Sequence, residues 1–333
     1  MLRTNILTTM GRGLAILLLL VGIVSCNTVF DDQSACPRGV SLRFVYEHNM
    51  EYVNSFHRQG HCVNVFVFDS DGNFVDNWIE NDPNLVRNED YRMERKLEKG
   101  SYTLIAYGGL TCDDASFTYL PLYTKIPGQE AAVTMRHRGY ESCESLHSLF
   151  YGSATVEIGD DDYVEKTIYL IKNTNNLRFI LQQMNGEQVV ADEFSVSICD
   201  DNAALGWDNE VIPYGLVTYS PWIQGETIIG VQENGQTPVS AAFYELSTSR
   251  LTLKTSPRLM VYSKARQEYI INIPLNTYLL LLKSELYSEM PSQEFLDRIS
   301  EWSLVFFLDS QNRWVNTRIV VNDWVVRINS TDF

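Results

Sequence analysis

Histidine and cysteine are scarce in this chain of 333 residues, five and six of them, and their spacing excludes the commonest metal chemistry. No CxxC pair and no close cysteine–histidine set is present, so a structural zinc site has no ligands at the usual separation. His57 and His61 are four apart, but Gly60 lies between them and no glutamate follows His57, which removes the helical metalloprotease motif. There is no G-x-S-x-G and no glycine-rich phosphate loop, so neither a nucleophile elbow nor a nucleotide cradle is written in the chain. Asp113-Asp114 and Asp160 to Asp162 read as solvated turns rather than an acid–base pair, leaving no catalytic constellation. Basic residues number 26 against 42 acidic ones. Such a surface repels phosphate backbones and argues against a nucleic-acid partner.

Long apolar runs are also lacking, with one exception near the start. Leu14 to Val24 is uncharged throughout, is preceded by Arg3 and Arg12, and no acidic residue falls in the first 25 positions. This is the layout of a signal peptide over residues 1–25, too short for a bilayer span of roughly 20 residues. Ile23-Val24-Ser25-Cys26 puts a small residue directly before a cysteine, as in a bacterial lipobox. Cleavage before Cys26 and a diacylglycerol on its thiol are the expectation, with residues 26–36 as a lipidated tether. Ordinary secretion with a structural Cys26 and a retained membrane segment are the alternatives. The mature chain carries 24 basic and 42 acidic residues, a net charge of −18.

Beyond Cys26 stand Cys36, Cys62, Cys112, Cys143 and Cys199, an odd number in a chain bound for an oxidising compartment. Cys112 and Cys143 are the candidate disulfide, while Cys62 and Cys199 sit in strand-like runs and read as buried small hydrophobes. From Val40 the residues Val40, Leu42, Phe44 and Tyr46 alternate with polar ones, the period of a half-buried strand. Cys62 to Phe68 is apolar on both faces apart from Asn64, as a central strand would be. Tyr91 to Leu97 and Tyr102 to Tyr107 read as a hairpin about Lys99-Gly100. With Phe74 to Ile79, Ala132 to Arg136 and Ser153 to Ile158 they make about seven short strands, enough for a sandwich over 37–160. The acidic turn at 159 to 162 is read as the domain boundary. A second strand series then fills 161–333, through Val164 to Ile171, Leu177 to Leu181, Phe194 to Cys199, Leu251 to Leu253, Leu259 to Tyr262 and Tyr269 to Ile273. One helix is predicted within it, from an N-cap at Ser292 through the apolar stripe Phe295, Leu296 and Ile299. Ser303 to Leu308 and Trp314 to Val321 follow, and the chain closes on a hairpin whose last strand is Trp324 to Ile328.

The loop "DSDGN" at 69 to 73 spaces two carboxylates as calcium loops do, but Gly72 precedes Asn73 and Ile79 occupies the place of the distal glutamate. It reads as a hairpin turn. The stretch from Cys199 to Trp222 holds Trp207, Tyr214, Tyr219 and Trp222. Aromatics on such a loop either stack on a ligand or cover the end of a sandwich.

Taken in order, "CPRGVSLRFVYEHN", "VNVFVFDSDGNFV", "LEKGSYTLIAYGG", "LFYG", "FSVSICDDNAALGWDNEV", "VTYSP", "STSRL", "EFLDRISEWSLVFFLD" and "IVVNDWVVRIN" resemble the anchor-subunit family of Bacteroidales fimbriae. The resemblance implies an all-β protein of two tandem transthyretin-like sandwiches and no enzymatic activity. It also implies an outer-membrane lipoprotein that holds the base of a pilus and limits its growth, with no cofactor beyond the covalent lipid on Cys26. Its partners would be stalk subunits joined by β-strand addition, for which Trp324, Val326 and Ile328 are the candidate strand; an ordinary edge strand is the alternative there. The competing functional reading is a surface lipoprotein or pilus-tip adhesin that binds glycan or host protein through the aromatics of 199 to 222.

Overall fold

The computed structural model describes residues 38–120, 131–136, 140–160, 163–231, 238–283, 287–321 and 324–329. Cys26, Cys36 and the signal segment lie outside the described residues. The chain is all-β in architecture, two sandwiches in tandem.

The alternation from Val40 does what its period predicts. The strand Gly39–Val45 points Val40, Leu42 and Phe44 into a first core. It pairs in parallel with Tyr163–Tyr169 and antiparallel with Met93–Lys96, making a three-stranded sheet. Facing it is a five-stranded sheet ordered Ile171–Lys172, Phe150–Ile158, Gly100–Gly108, Val63–Asp69, Phe74–Glu80. Val63, Val65 and Val67 meet the first core, whereas Phe66 and Phe68, on the opposite face of the same strand, join a larger core shared with the second half. The strand is apolar on both faces because both faces are covered.

The second sandwich sets a six-stranded sheet against a five-stranded one. The first runs Ile223–Val231, Pro238–Ser249, Thr174–Gln183, Glu301–Leu308, Trp314–Val321, Trp324–Asn329, and the other Glu268–Pro274, Arg258–Ser263, Phe194–Asp200, Val217–Tyr219, Glu141–Ser142. Leu177, Phe179, Leu304 and Phe306 pack against Val196, Ile198, Leu259 and Val261 between them. A small sheet, Val211–Ile212, Ala204–Gly206, Ala131–Met135, Phe117–Tyr119, draws strands from both halves and stitches them together.

Four expectations are corrected. The turn at 159 to 162 is not the domain boundary, because Tyr163–Tyr169 pairs with Gly39–Val45 and so completes the first sandwich. The chain passes to the second sandwich near Lys172 and Asn173, where Ile171–Lys172 still pairs with the first half and Thr174–Gln183 already belongs to the second. Met93–Lys96 and Gly100–Gly108 are not a hairpin: they fall in different sheets, since each buries its apolar side against a different neighbour. The second sandwich carries a helix at Leu275–Leu280 besides Ser292–Arg298. A short apolar run such as "LNTYLL" has no period that separates helix from strand, and Pro274 stands at the helix N-cap.

The disulfide is Cys62–Cys112, with Cα atoms 5.5 Å apart, rather than Cys112–Cys143. Strand pairing explains the choice. Val63 lies opposite Gly108, so the turn after Gly108 returns Cys112 to Cys62, and the Gly109 amide donates to the Cys62 carbonyl at 3.1 Å. Cys143 instead follows the strand Glu141–Ser142, held on the second sandwich, and is a free, exposed thiol. Cys62 is buried as expected but bonded, and Cys199 is a half-buried free thiol.

Candidate assembly and binding surfaces

Parallel register fixes where the two ends of the molecule lie. Gly39 stands beside Tyr163 and Val45 beside Tyr169, and the chain crosses to the second sandwich just after Leu170, whose amide donates to the Val45 carbonyl at 2.8 Å. The Gly39 end is therefore the pole remote from the junction, about 20 Å away along the strand. In the second sandwich Asn176 stands beside Glu301 at the junction and Gln183 beside Leu308 away from it. Trp314–Val321 returns towards the junction and Trp324–Asn329 runs outward again, so Asn329 lies at the opposite pole.

The strand Trp324–Asn329 forms one edge of the six-stranded sheet. Trp324 is opposite Val321, Val326 opposite Ile319 and Ile328 opposite Thr317. Among the described residues the three candidates thus sit on a strand paired on one side, and Ile223–Val231 forms the other edge of that sheet.

The four aromatics of 199 to 222 separate into two kinds. Trp207 is buried, its ring centroid 5.2 Å from Phe66 and 5.3 Å from Phe68, both edge-on. Its carbonyl accepts from the Tyr151 hydroxyl at 2.7 Å, so this residue fastens the second half onto the outer face of the first. Tyr219 is also buried and donates to Asn202 Oδ1 at 2.6 Å, with burial pushing its phenol far above the usual range. For Trp207 and Tyr219 the ligand reading is corrected: the apolar face they cover needed a lid, and they supply it. Tyr214 and Trp222 are exposed, at 55 % and 40 %.

Near them lies a buried polar network that the sequence did not disclose. Arg250 grips Asp297 with two parallel bonds of 2.8 Å, and its remaining terminal nitrogen donates to the Asn209 carbonyl. Both side chains are nearly excluded from water, at 10 % and 6 % exposure. The side-chain amides of Asn173 and Asn209 exchange bonds of 2.6 and 3.1 Å, with Asn209 at φ 66°. These groups tie the helix Ser292–Arg298, the end of the strand Pro238–Ser249 and the Trp207 loop at the junction. Only an arginine following the polar run Ser247-Thr248-Ser249 hinted at it.

Asp114, His147 and Ser116 line up, with His147 Nε2 3.0 Å from Asp114 and Nδ1 3.4 Å from Ser116 Oγ. The Ser116 oxygen, however, accepts the His147 amide at 2.9 Å, and the His147 and Asp114 side chains are about half exposed, at 48 % and 56 %. This is a solvated loop contact rather than an activated nucleophile. The Asp69 carboxylate is engaged by the amides of Asp71 and Asn73 at 2.9 and 2.8 Å, so the "DSDGN" loop is the hairpin turn it was read as. Among the described residues no group of three histidine, cysteine or acidic side chains could hold a metal ion, and no helix is long and apolar enough to cross a membrane.

A family model described as fimbrillin-A associated anchor proteins Mfa1 and Mfa2 matches residues 33–330. The chain belongs to this family. A candidate adhesin from Bacteroides thetaiotaomicron is 44 % identical, covers 90 % of this chain and all of its own, and superposes with a TM-score of 0.81. A second protein of that organism, named as a candidate polysaccharide-binding protein, is 27 % identical over 90 % of this chain and all of its own, with a TM-score of 0.74. The fimbrial anchor protein Mfa2 from Porphyromonas gingivalis shares the fold at 18 % identity, with a TM-score of 0.67 over 87 % of this chain and 99 % of its own. No curated protein matches the sequence. This is a fimbria-associated protein of the cell surface or envelope, in a family of structural and adhesive proteins rather than enzymes.

Proposed function

We propose that the protein is held in the outer membrane by the lipid on Cys26, joins the base of a fimbria to the cell surface and stops its growth there. The observation that carries the reading is the opposition of the two poles. Cys26 precedes Gly39 by a tether of residues 27–38 that reaches at most about 40 Å when extended, and Gly39 opens the pole remote from the junction. The last described strand ends at the other pole, and it is paired on one side by Trp314–Val321. A lipid at one end and an available strand edge at the other is the arrangement a membrane-to-polymer adaptor needs. Strand addition supplies affinity through main-chain hydrogen bonds and register through alternate side chains, and a subunit whose other end is committed to lipid offers the polymer nothing further to extend from. Two or more acyl chains give the firm anchoring that a single chain does not, at about 0.8 kcal/mol per buried methylene.

Mass spectrometry of the mature N-terminus from membrane fractions tests the lipid, and capture of stalk subunits by Val326→Pro tests the strand. The expected results are an acylated Cys26 and loss of stalk capture with membrane attachment intact. An unmodified N-terminus at another residue would overturn the first half, and full stalk capture by the proline variant the second.

A further inference from the structure

We propose that the cleft beside Trp222 is a binding site for a neutral saccharide of one or two rings. The cleft has a volume of about 440 Å³ and opens on the outer face of the six-stranded sheet, within the roughly 300–1,000 Å³ of small-molecule sites. Trp222 stands at its side with 40 % of its surface exposed, held by a bond of 3.0 Å from its amide to the Glu245 carbonyl. A rigid, half-exposed indole presents the flat apolar surface on which the C–H face of a pyranose stacks.

The rest of the lining is planar and polar, and much of it is pre-set. Arg178 Nε donates to Glu245 Oε1 at 2.9 Å, Asn176 Nδ2 to Glu301 Oε1 at 3.0 Å, and Ser247 Oγ to Asn176 Oδ1 at 2.9 Å. These bonds fix the side chains without exhausting them. Arg178, Glu245, Trp222 and Ser303 line the cleft, and a guanidinium, a carboxylate, an indole N–H and a hydroxyl together offer the paired donors and acceptors that vicinal hydroxyls take.

Charge sets the class of ligand. The two carboxylates, Glu245 and Glu301, are matched by Arg178 and by Lys172, whose Nζ lies 3.8 Å from Glu301. The balance leaves no net attraction for a phosphate or a sialic acid and no need for a cation. The proposal stands apart from the anchoring role: the cleft could be filled or empty whichever membrane attachment holds.

Saturation-transfer difference NMR on the mature chain tests it, with lactose, maltose, cellobiose and N,N′-diacetylchitobiose as probes and 3′-sialyllactose as the charged control. At least one neutral disaccharide is expected to bind, with Kd of about 1 mM or tighter. Trp222→Ala and Ser303→Arg, the second filling the cleft from the solvent side of the sheet, are each expected to weaken it at least about tenfold. Tyr214→Ala, outside the cleft, is expected to leave it unchanged. Absence of transfer from every neutral sugar, binding of the sialylated one alone, or a signal that survives in both cleft variants with their melting temperatures intact would overturn the proposal.

Discussion

Arg250 and Asp297 show how much a single side chain can govern here. A buried pair is weak evidence of net stabilisation, since desolvation offsets most of the attraction, but removing one partner strands the other without water. Asp297→Ala is expected to cost about 3–5 kcal/mol in urea unfolding, whereas the double exchange Arg250→Met with Asp297→Leu should recover most of it. An additive loss in the double variant would refute this reading. Asp200 behaves in the opposite sense. It is nearly excluded from water, and burial raises its carboxyl from 3.8 to about 6 despite bonds from the Asp201 amide and the Thr255 hydroxyl. Between those values the folded chain keeps a proton that the unfolded chain has lost, so this group's contribution falls as pH rises through about 6. Asp200→Asn is therefore expected to be more stable than the parent at pH 7, by up to about 3 kcal/mol, with the difference closing near pH 4. Melting temperatures across that range decide it, and a difference independent of pH would contradict it. None of this was legible in the chain. Trp207 and Trp222 look alike in sequence, and only the position of Phe66 and Phe68 makes one a clamp and leaves the other open.

The strands were more legible than the residues, for a physical reason. Val40 to Tyr46 carries its apolar residues in a period of two, Cys62 to Phe68 is the unbroken apolar run of a strand covered on both faces, and helix Ser292–Arg298 shows itself in the stripe of Phe295, Leu296 and Ile299. Pairing was not legible. Which strand lies beside which depends on contacts far apart in the chain, so the acidic stretch 159 to 162 looked like a boundary although the strands before and after it, Phe150–Ile158 and Tyr163–Tyr169, belong to one sandwich. The strand Pro238–Ser249 escaped notice because proline, two alanines and three serines dilute the Val239, Phe243, Tyr244 and Thr248 that would mark it. The disulfide belongs with this pairing. Cys62→Ser with Cys112→Ser is expected to cost about 2–4 kcal/mol, and Cys143→Ser to change stability by less than about 0.5 kcal/mol. Equal losses in the two would mean that the 62–112 bond does not brace the first sandwich.

Across the molecule the two sandwiches are expected to unfold together, since one core gathers Phe66, Phe68 and Tyr107 of the first with Phe179, Val196 and Leu304 of the second. Calorimetry should show a single transition, and Trp207→Ala, losing about 3–5 kcal/mol, should split it in two. Two transitions in the parent protein would deny the coupling. A stiff coupling of this kind is what the proposed adaptor would require, with pull entering at one pole and lipid resisting at the other.

The role itself is decided most directly in cells, by comparing the length and location of fimbriae between the parent strain and one carrying Cys26→Ala. The anchor account expects fimbriae in the medium rather than on the cells, and longer ones. Fimbriae of ordinary length retained on the Cys26→Ala cells would contradict it.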